Sequence, residues 1–433
     1  MSRVPSAAEE QTARHLEQAL VEPQMARVQA LPALGRGRSP AEVAGDVTVL
    51  AVPIAEGEAN VERATPQPRQ GAAEAAADFG ADVAALAEVH GISGKAGEVL
   101  AVPAPPGSAR LPERLILIGL GSGSAPELRK AGMVTDGAWF DYDWDGDMDL
   151  VVVGDWMPIT VFENRNNQLA KVTDNEVLNQ SMGFWQTIKA ADFDQDGDMD
   201  LVLGNLGTNT KFRKKEDTAL RMYVKDIDGN ESMDHVLAYK LHDSWYPVAT
   251  KDELGKQLPL INRRFTSYKA YAGKTVEELF EKDELKDARM LEVNTFESLY
   301  LENLGTGDFR KHPLPHQAQV SKIFALHVED LNRDGHLDIL AGGNLYGVST
   351  YQGRYDGSYG VLLAGNGKGG FTAIPPAESR FLLDGEVRDI KKLRTPGGEL
   401  LLVARNKLPV QVLKKLEPVA AGKQVALTKA VAK

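Results

Sequence analysis

Short apolar runs separated by polar turns are the main pattern along this chain. The runs "DVTVLAVPI" (46–54), "GEVLAVPA" (97–104) and "ERLILIGLG" (113–121) predict buried strands, and "GAAEAAADFGADVAALAEVHG" (71–91) predicts one or two helices between them. Strands that alternate with a helical pattern favour a small α/β domain with a parallel sheet. We predict such a domain over residues 46–132, preceded by a mobile leader.

From about residue 133 the apolar runs form strand–turn–strand units. "YLENLGTGDF" (Tyr300–Phe309) and "VLLAGNGKGGF" (Val361–Phe371) predict β-hairpins with Gly-rich turns. The stretch Ala249–Leu291 breaks this pattern, because its segment "TVEELFEKDEL" has apolar residues at helical spacing. The sequence therefore predicts a leader over 1–45, a mainly β region over 133–413 with a helical insertion at 249–291, and a tail over 414–433.

Four copies of one acidic pattern lie directly before apolar strands. Positions 1, 3, 5 and 9 of each copy are Asp or Asn. We call the copies the 141 loop ("DYDWDGDMD", Asp141–Asp149), the 192 loop ("DFDQDGDMD", Asp192–Asp200), the 330 loop ("DLNRDGHLD", Asp330–Asp338) and the 226 loop ("DIDGNESMD", Asp226–Asp234). The first three carry Gly at position 6, whereas the weaker 226 loop has Glu231 there.

This spacing suits a hard cation. Calcium takes about six to eight oxygen ligands in flexible geometry. Side chains at positions 1, 3 and 5 can turn inward when the backbone coils tightly, position 7 can offer its carbonyl, and position 9 closes the ring. We predict three structural calcium sites, in the 141, 192 and 330 loops, and the 226 loop is a candidate for a fourth. The candidate ligands are Asp141, Asp143, Asp145, Asp147, Asp149, Asp192, Asp194, Asp196, Asp198, Asp200, Asp330, Asn332, Asp334, His336, Asp338, Asp226, Asp228, Asn230, Ser232 and Asp234.

Two details of these loops refine the prediction. An EF-hand would need Glu at position 12 and flanking helices, whereas position 12 here is Val152, Leu203 or Ala341 and strands follow. His336 occupies position 7, where the backbone carbonyl should be the ligand, so we expect its ring to be exposed.

The five tryptophans are interpreted as packing residues, with a carbohydrate- or peptide-binding face as the alternative. They are Trp139, Trp144, Trp156, Trp185 and Trp245.

Composition excludes several classes of function. The net charge is −12 and no basic stripe is present, which argues against nucleic acid as a partner. The absence of cysteine excludes disulfides, thiolate zinc sites and cysteine nucleophiles. No apolar run approaches the length of a membrane span, and the N-terminus lacks an apolar signal region. As written, the chain is expected to stay in the cytoplasm.

Residue usage changes near residue 132. Only one of the 29 aromatic residues, Phe79, precedes it. The segments "AGDVTVLAVPI", "GISGKAGEVLAVPAPPG" and "LPERLILIGLGSGSAPELRKAG" resemble the N-terminal domain of the leucyl (cytosol) aminopeptidase family, over about residues 44–132. In that family a separate C-terminal domain holds two metals through a lysine and several carboxylates. Only "VTDNEVL" faintly echoes its acidic motif here, and we interpret Asp174 and Glu176 as surface residues. The resemblance implies a non-catalytic piece of that enzyme.

The remainder resembles a different family. The acidic pattern, the strand after it and turns such as "NLGTGDF" are similar to FG-GAP/VCBS repeats, over about residues 133–410. The match extends to the C-terminal blades of large VCBS-repeat proteins, which often carry an ASPIC/UnbV module and are mostly exported. This resemblance implies a partial β-propeller with calcium in the acidic loops, serving adhesion, scaffolding or surface recognition. The chain departs from the family because the earlier blades and an export signal are missing.

Together these observations predict a non-enzymatic, calcium-binding repeat protein. We expect a protein or carbohydrate ligand on a propeller face, about five blades, and self-association through an open blade edge. The alternative is a leucyl aminopeptidase-related hydrolase, a metallopeptidase of which only the N-terminal domain is recognisable. The missing lysine and carboxylate set argues against that alternative.

Overall fold

Strands dominate the part of the chain that the computed structural model describes. The predicted leader and the predicted helices at 71–91 lie outside it. Two compact units are present, one comprising Val28–Leu314 and the other including Pro315–Lys433. None of the described helices is long and apolar enough to cross a membrane. The described residues are 49–55, 67–68, 99–103, 114–119, 132–166, 168–212, 220–348, 353–395, 398–415 and 427–429.

The first sheet contains the three strands predicted before residue 132. Its order is β2-β1-β4-β3, with β1 parallel to β4 and β3 antiparallel to β4. The sheet is therefore mixed, and the prediction of a parallel sheet is wrong for β3. The connection from β3 to β4 spans about ten residues, which is too short for the crossover that parallel neighbours need. These strands are β1 (Val49–Ala55), β2 (Gln67–Pro68), β3 (Val99–Pro103) and β4 (Arg114–Gly119).

The second sheet is an antiparallel meander that carries the 141 loop. Its order is β5-β6-β7-β8, and β9 also pairs with β6. A short helix, Glu176–Asn179, follows β8, and Asp174 and Glu176 beside it are exposed, as expected for surface residues. The strands are β5 (Met133–Phe140), β6 (Asp149–Met157), β7 (Thr160–Arg165), β8 (Gln168–Lys171) and β9 (Gly183–Phe184).

The third sheet is interrupted in sequence. Its order is β10-β11-β16-β17, and the chain leaves it after β11 and returns at β16. The described residues between 205 and 298 form this inserted subdomain, so the insertion is larger than the helical segment predicted at 249–291. It contains a sheet of its own, and the 226 loop belongs to that sheet. The strands of the interrupted sheet are β10 (Thr187–Ala191), β11 (Asp200–Gly204), β16 (Leu299–Asn303) and β17 (Phe309–Pro313).

The inserted subdomain packs five short helices on one face of a four-stranded sheet. The sheet order is β14-β13-β12-β15. Tyr223, Val236 and Trp245 from the sheet and Leu254, Ile261 and Leu279 from the helices share one buried cluster. The strands are β12 (Leu220–Lys225), β13 (Asp234–Leu241), β14 (Ser244–Pro247) and β15 (Arg289–Val293), and the helices are Lys251–Gln257, Pro259–Arg264, Tyr268–Tyr271, Val276–Leu279 and Lys282–Leu285.

Asn205 fastens the two ends of the insertion. Its side-chain oxygen accepts from the backbone N–H of Phe184 at 3.0 Å, and its amide nitrogen donates to the carbonyl of Thr295 at 3.0 Å. Its own backbone N–H donates to Ser298 Oγ at 3.0 Å. Asn205 is fully buried, so these bonds hold the points where the chain leaves and re-enters the third sheet.

The unit that includes Pro315–Lys433 contains two further antiparallel sheets. Their orders are β18-β19-β20-β21 and β22-β23-β24-β25. The hairpins predicted at Tyr300–Phe309 and Val361–Phe371 are both confirmed. The predicted tail supplies the end of β24 and the whole of β25. The elements are β18 (Ile323–Glu329), β19 (Asp338–Gly343), β20 (Val361–Gly365), β21 (Phe371–Ile374), β22 (Glu386–Thr395), β23 (Gly398–Asn406), β24 (Leu408–Lys415), β25 (Leu427–Lys429), the helix Pro376–Ser379 and the 3₁₀ helix His316–Gln319.

Four of the five tryptophans pack in the interior, as the sequence predicts. Trp185 is fully buried and belongs to the cluster that joins the second and third sheets. Trp144 differs, because 58% of its surface is exposed. Its position in the 141 loop, beyond the end of β5, places it outside the packed strands.

Candidate metal-binding loops

Each acidic loop connects two antiparallel strands of a sheet. The pairs are β5–β6, β10–β11, β12–β13 and β18–β19. Strands on both sides exclude an EF-hand, in agreement with the sequence. The four loops therefore share one supersecondary setting, in which the last aspartate of the loop is also the first residue of a strand.

The loops also share a backbone conformation with positive φ at positions 4 and 6. In the 141 loop, φ is 65° at Trp144 and 91° at Gly146. In the 226 loop, φ is 73° at Gly229 and 68° at Glu231. In the 226 loop the glycine is at position 4 and not at position 6, yet the backbone conformation is the same as in the other loops. Glu231 therefore carries at position 6 the backbone strain that glycine avoids there in the other three loops.

Replacing Glu231 with Gly should stabilise the 226 loop. The left-handed conformation costs a residue with Cβ about 1–2 kcal/mol, and glycine adopts it freely. We expect Glu231→Gly to raise the free energy of unfolding by about 0.5–1 kcal/mol and to increase cation affinity at this loop. Chemical denaturation with and without calcium measures both effects. Glu231→Ala is the matched control, since it removes the carboxylate but keeps Cβ, and an equal gain in that variant would contradict the strain argument.

Three of the loops bring carboxylates together. The side chains at positions 1, 3 and 9 place one oxygen each within 4.8 Å of the others. The 330 loop differs because position 3 is Asn332, whose amide donates to Asp334 Oδ2 at 2.8 Å. Its oxygen can still serve a cation, but only two of the three side chains at positions 1, 3 and 9 are carboxylates in this loop. The three groups are Asp141, Asp143 and Asp149; Asp192, Asp194 and Asp200; and Asp226, Asp228 and Asp234.

The position-9 aspartate also fastens the loop to the sheet. It is buried in all four loops, and one oxygen accepts the backbone N–H of position 2, for example Tyr142 N to Asp149 Oδ2 at 2.7 Å. In three loops the other oxygen accepts a backbone N–H from the third strand of the sheet. These second bonds join Asn164 N to Asp149 at 2.6 Å, Asn303 N to Asp200 at 2.8 Å and Gly365 N to Asp338 at 3.1 Å. The acidic pattern in the sequence did not predict this structural role.

The side chain at position 5 does not belong to the groups of three carboxylates formed by positions 1, 3 and 9. In every loop its side-chain oxygen accepts the backbone N–H of position 7, as Asp145 Oδ1 does from Asp147 at 2.8 Å. The same bond is made by Asp196, Asn230 and Asp334. This local turn shapes the loop, and a second lone pair on each oxygen is left for a cation.

The side chains at position 7 divide into two kinds. Asp147 and Ser232 are exposed, whereas Asp198 is buried and His336 is half-buried. The expectation of an exposed His336 ring is therefore wrong, because its Nδ1 is buried and has no hydrogen-bond partner. The segments of the protein that pack against each loop, and not the loop pattern itself, decide how far these side chains turn inward.

Burial makes the ionised form of these carboxylates costly. It raises the pKa of Asp149 and of Asp200 to about 7, although backbone N–H donors act in the opposite direction. Burial also raises the pKa values of Asp143 and Asp194. Buried oxygens of Asp141, Asp143 and Asp194 have no hydrogen-bond partner. A divalent cation would supply the missing positive charge and partner at once.

A further polar residue recurs at or just after the second strand of three of the described sheets. Asn205 comes after β11, Asn344 after β19, and Asp155 lies at the corresponding place in β6. Asn344 bonds to Ser358 and Gly385 through its amide, much as Asn205 fastens the insertion. The sequence signal for this residue is the recurring "VGDW", "LGNL" and "GGNL", which lies outside the acidic loops.

Comparison with known families supports this two-part composition. Residues 141–203 match the family described as FG-GAP-like repeat, a stretch that contains the 141 and 192 loops. Residues 52–135 match the cytosol aminopeptidase family, N-terminal domain. Both resemblances inferred from the sequence are confirmed, and the described strands form the expected mainly β fold. No curated protein is significantly similar to the chain.

Proposed function

We propose that this chain is a non-enzymatic, calcium-stabilised repeat protein whose four-stranded sheets are β-propeller blades. One observation carries the proposal. Three loops at equivalent places in their sheets converge carboxylate oxygens to within 4.8 Å, and in two of these groups Asp141, Asp143 and Asp194 each have a buried oxygen without a hydrogen-bond partner. Carboxylates arranged in this way repel one another unless a cation or protons neutralise them.

Calcium is the cation that this donor set fits best. The donors are carboxylate, amide and carbonyl oxygens on an irregular loop, and neither cysteine nor a converging histidine is among them. Calcium accepts six to eight oxygens with variable geometry, whereas magnesium demands a near-ideal octahedron. The ion would join the loop to the start of the following strand and stabilise the sheet.

A calorimetric calcium titration tests the proposal. We expect three or four ions per chain, and Asp145→Ala and Asp196→Ala should each remove one, because position 5 supplies a side-chain ligand. Asp174→Ala is the control, since Asp174 is exposed and lies outside the loops. An unchanged stoichiometry in both loop variants would contradict the assignment of position 5.

The calcium-free protein should lose stability as the pH rises. The pKa values of Asp149 and Asp200 are about 7 in the folded chain and 3.8 ordinarily, so the folded state binds more protons between these values. The free energy of unfolding therefore falls as the pH rises through this range. We expect a higher melting temperature in chelator at about pH 6 than at about pH 8, and saturating calcium should remove or reverse the difference. A chelated protein that is more stable at the higher pH would contradict this.

The recognition role is the second part of the proposal. Trp144 within the 141 loop is largely exposed, and an exposed indole suits stacking on a carbohydrate ring or an apolar peptide side chain. The outermost strands of the described sheets offer edges for self-association. Light scattering on the purified chain tests the latter, because a strictly monodisperse monomer would exclude it.

The rival function is that of a metallopeptidase related to the aminopeptidase family. The match to that family covers its N-terminal domain alone, over residues 52–135. An assay with leucine p-nitroanilide and manganese or zinc decides between the two. Turnover that chelation abolishes would overturn the non-enzymatic proposal.

A further inference from the structure

Asp198, at position 7 of the 192 loop, has an unusual environment for a loop carboxylate. Only 6% of its surface is exposed, and its Oδ1 has no hydrogen-bond partner. Position 7 of this loop pattern was expected to contribute its backbone carbonyl to the cation. An ionised oxygen that is buried without a donor is costly, so this side chain calls for a positive partner.

The environment of Asp198 points toward the cation site. Its carboxylate interacts electrostatically with those of Asp194, Asp196 and Asp200, and the Asp196 carboxylate also hydrogen-bonds with those of Asp194 and Asp198. Asp192, Asp194 and Asp200 form the group whose oxygens lie within 4.8 Å of one another, and Asp198 is a charged neighbour of that group. Neighbouring carboxylates that interact in this way need a shared proton or a shared cation.

The turn between β16 and β17 is what covers Asp198. A Cβ at residue 305 would lie 3.2 Å from Asp198 Oδ2, and Gly305 has φ of 67°, so a glycine lets this turn approach. Asn303, the last residue of β16 before this turn, donates its backbone N–H to Asp200. The 141 loop has an aspartate at the same position, Asp147, but this residue is exposed.

We propose that the Asp198 side chain is an additional cation ligand and that it makes the 192 loop the tightest of the acidic loops. This inference rests on the proposed function, because it assumes that the loops bind calcium. Affinity in oxygen-ligand loops rises with the number of charged ligands and with the rigidity of the site. The 192 loop has the advantage in both respects, since Asp198 adds a charge and the covering turn restricts its movement.

Asp198→Asn and Asp147→Asn form a matched pair for the test. Both remove one negative charge at position 7 of a loop, one buried and one exposed. In calorimetric titration with calcium chloride, we expect Asp198→Asn to weaken the tightest site by about tenfold or more. Asp147→Asn should change affinities by less than about threefold, because an exposed charge is screened by solvent and salt. Equal effects in the two variants would overturn the inference.

Trp144 supplies a readout that does not depend on substituting Asp198. Its ring lies against Gly197 of the 192 loop, at 3.6 Å from the place of a Cβ there. With the 141 loop disabled by Asp143→Ala, Trp144 emission should still change at the calcium concentration that fills the tightest site. With the 192 loop disabled by Asp194→Ala, that low-concentration change should disappear, and its persistence would contradict the ranking.

The outcomes separate the two proposals. If the unmodified chain binds no calcium, the proposed function fails and the inference fails with it. If calcium binds but Asp198→Asn and Asp194→Ala leave the tightest site intact, only the inference fails. Melting in chelator shows that Asp198→Asn is folded, and we expect its melting temperature there to be at least that of the unmodified chain, because a buried charge has been removed.

Discussion

Chelation of calcium is expected to lower the melting temperature of this protein by on the order of 15 °C or more. A site filled at about 100 times its dissociation constant stabilises the folded state by about 2.7 kcal/mol. The 141, 192 and 226 loops all belong to the unit Val28–Leu314, so that unit would lose about 8 kcal/mol if all three are filled. This is comparable with the whole net stability of a typical domain.

The effect should differ between the two units. The unit that includes Pro315–Lys433 contains the 330 loop alone among the acidic loops, and Asn332 replaces one carboxylate there. Scanning calorimetry in calcium and in chelator should show a large shift for one transition and a smaller shift for the other. The control is magnesium at the same concentration, which should stabilise less because it demands octahedral geometry. A melting profile that is identical in calcium and chelator would contradict structural calcium in these loops.

Asp200→Ala should destabilise the protein with or without calcium. Asp200 is fully buried and accepts from Tyr300 Oη and Asn303 N, each at 2.8 Å, and from Phe193 N at 3.2 Å. Alanine leaves these donors buried and unpaired, and each orphaned group costs about 1–3 kcal/mol. We expect a loss of about 3–5 kcal/mol in the free energy of unfolding.

Asp196→Ala in the same loop is the comparison that separates the two roles of an aspartate. The Asp196 side chain is exposed to solvent, and its Oδ1 accepts one hydrogen bond, from the backbone N–H of Asp198 at 3.1 Å. In calcium its loss should be costly, since a cation ligand is removed. In chelator the cost should fall to within about 1 kcal/mol, because the remaining carboxylates repel less. Denaturation of both variants in both buffers is the measurement, and an Asp200→Ala protein as stable as the unmodified chain in chelator would contradict the structural role of position 9.

Local pattern was enough to predict the strands, the hairpins and the acidic loops. The alternation of apolar runs with Gly-rich turns depends on neighbours in sequence, and those neighbours decide backbone conformation in a hairpin. The positive φ values at position 6 follow in the same way from the recurring glycine. Glu231 is instructive, because the loop keeps its conformation after the glycine that the pattern requires has moved to Gly229.

The pairing of strands that are far apart along the chain could not be predicted from the sequence. The inserted subdomain could be recognised only as a helical segment, because β11 and β16 pair across about a hundred residues and no local signal records that pairing. The 226 loop therefore appeared to mark a blade of the main series, whereas it belongs to the inserted sheet. In the first sheet, the direction of β3 depended on the length of its connection to β4.

The sequence by itself determined the family composition, the mainly β fold and which side chains could become cation ligands, since these depend on residue type and spacing. The tertiary structure decided what each of those side chains does. It buries Asp200 as a link between a loop and a distant strand, leaves Asp147 exposed and covers Asp198 with a turn that is more than a hundred residues away in sequence. The physical reason is that burial and unpaired charge are properties of the packed environment, and the same acidic pattern receives a different environment in each sheet.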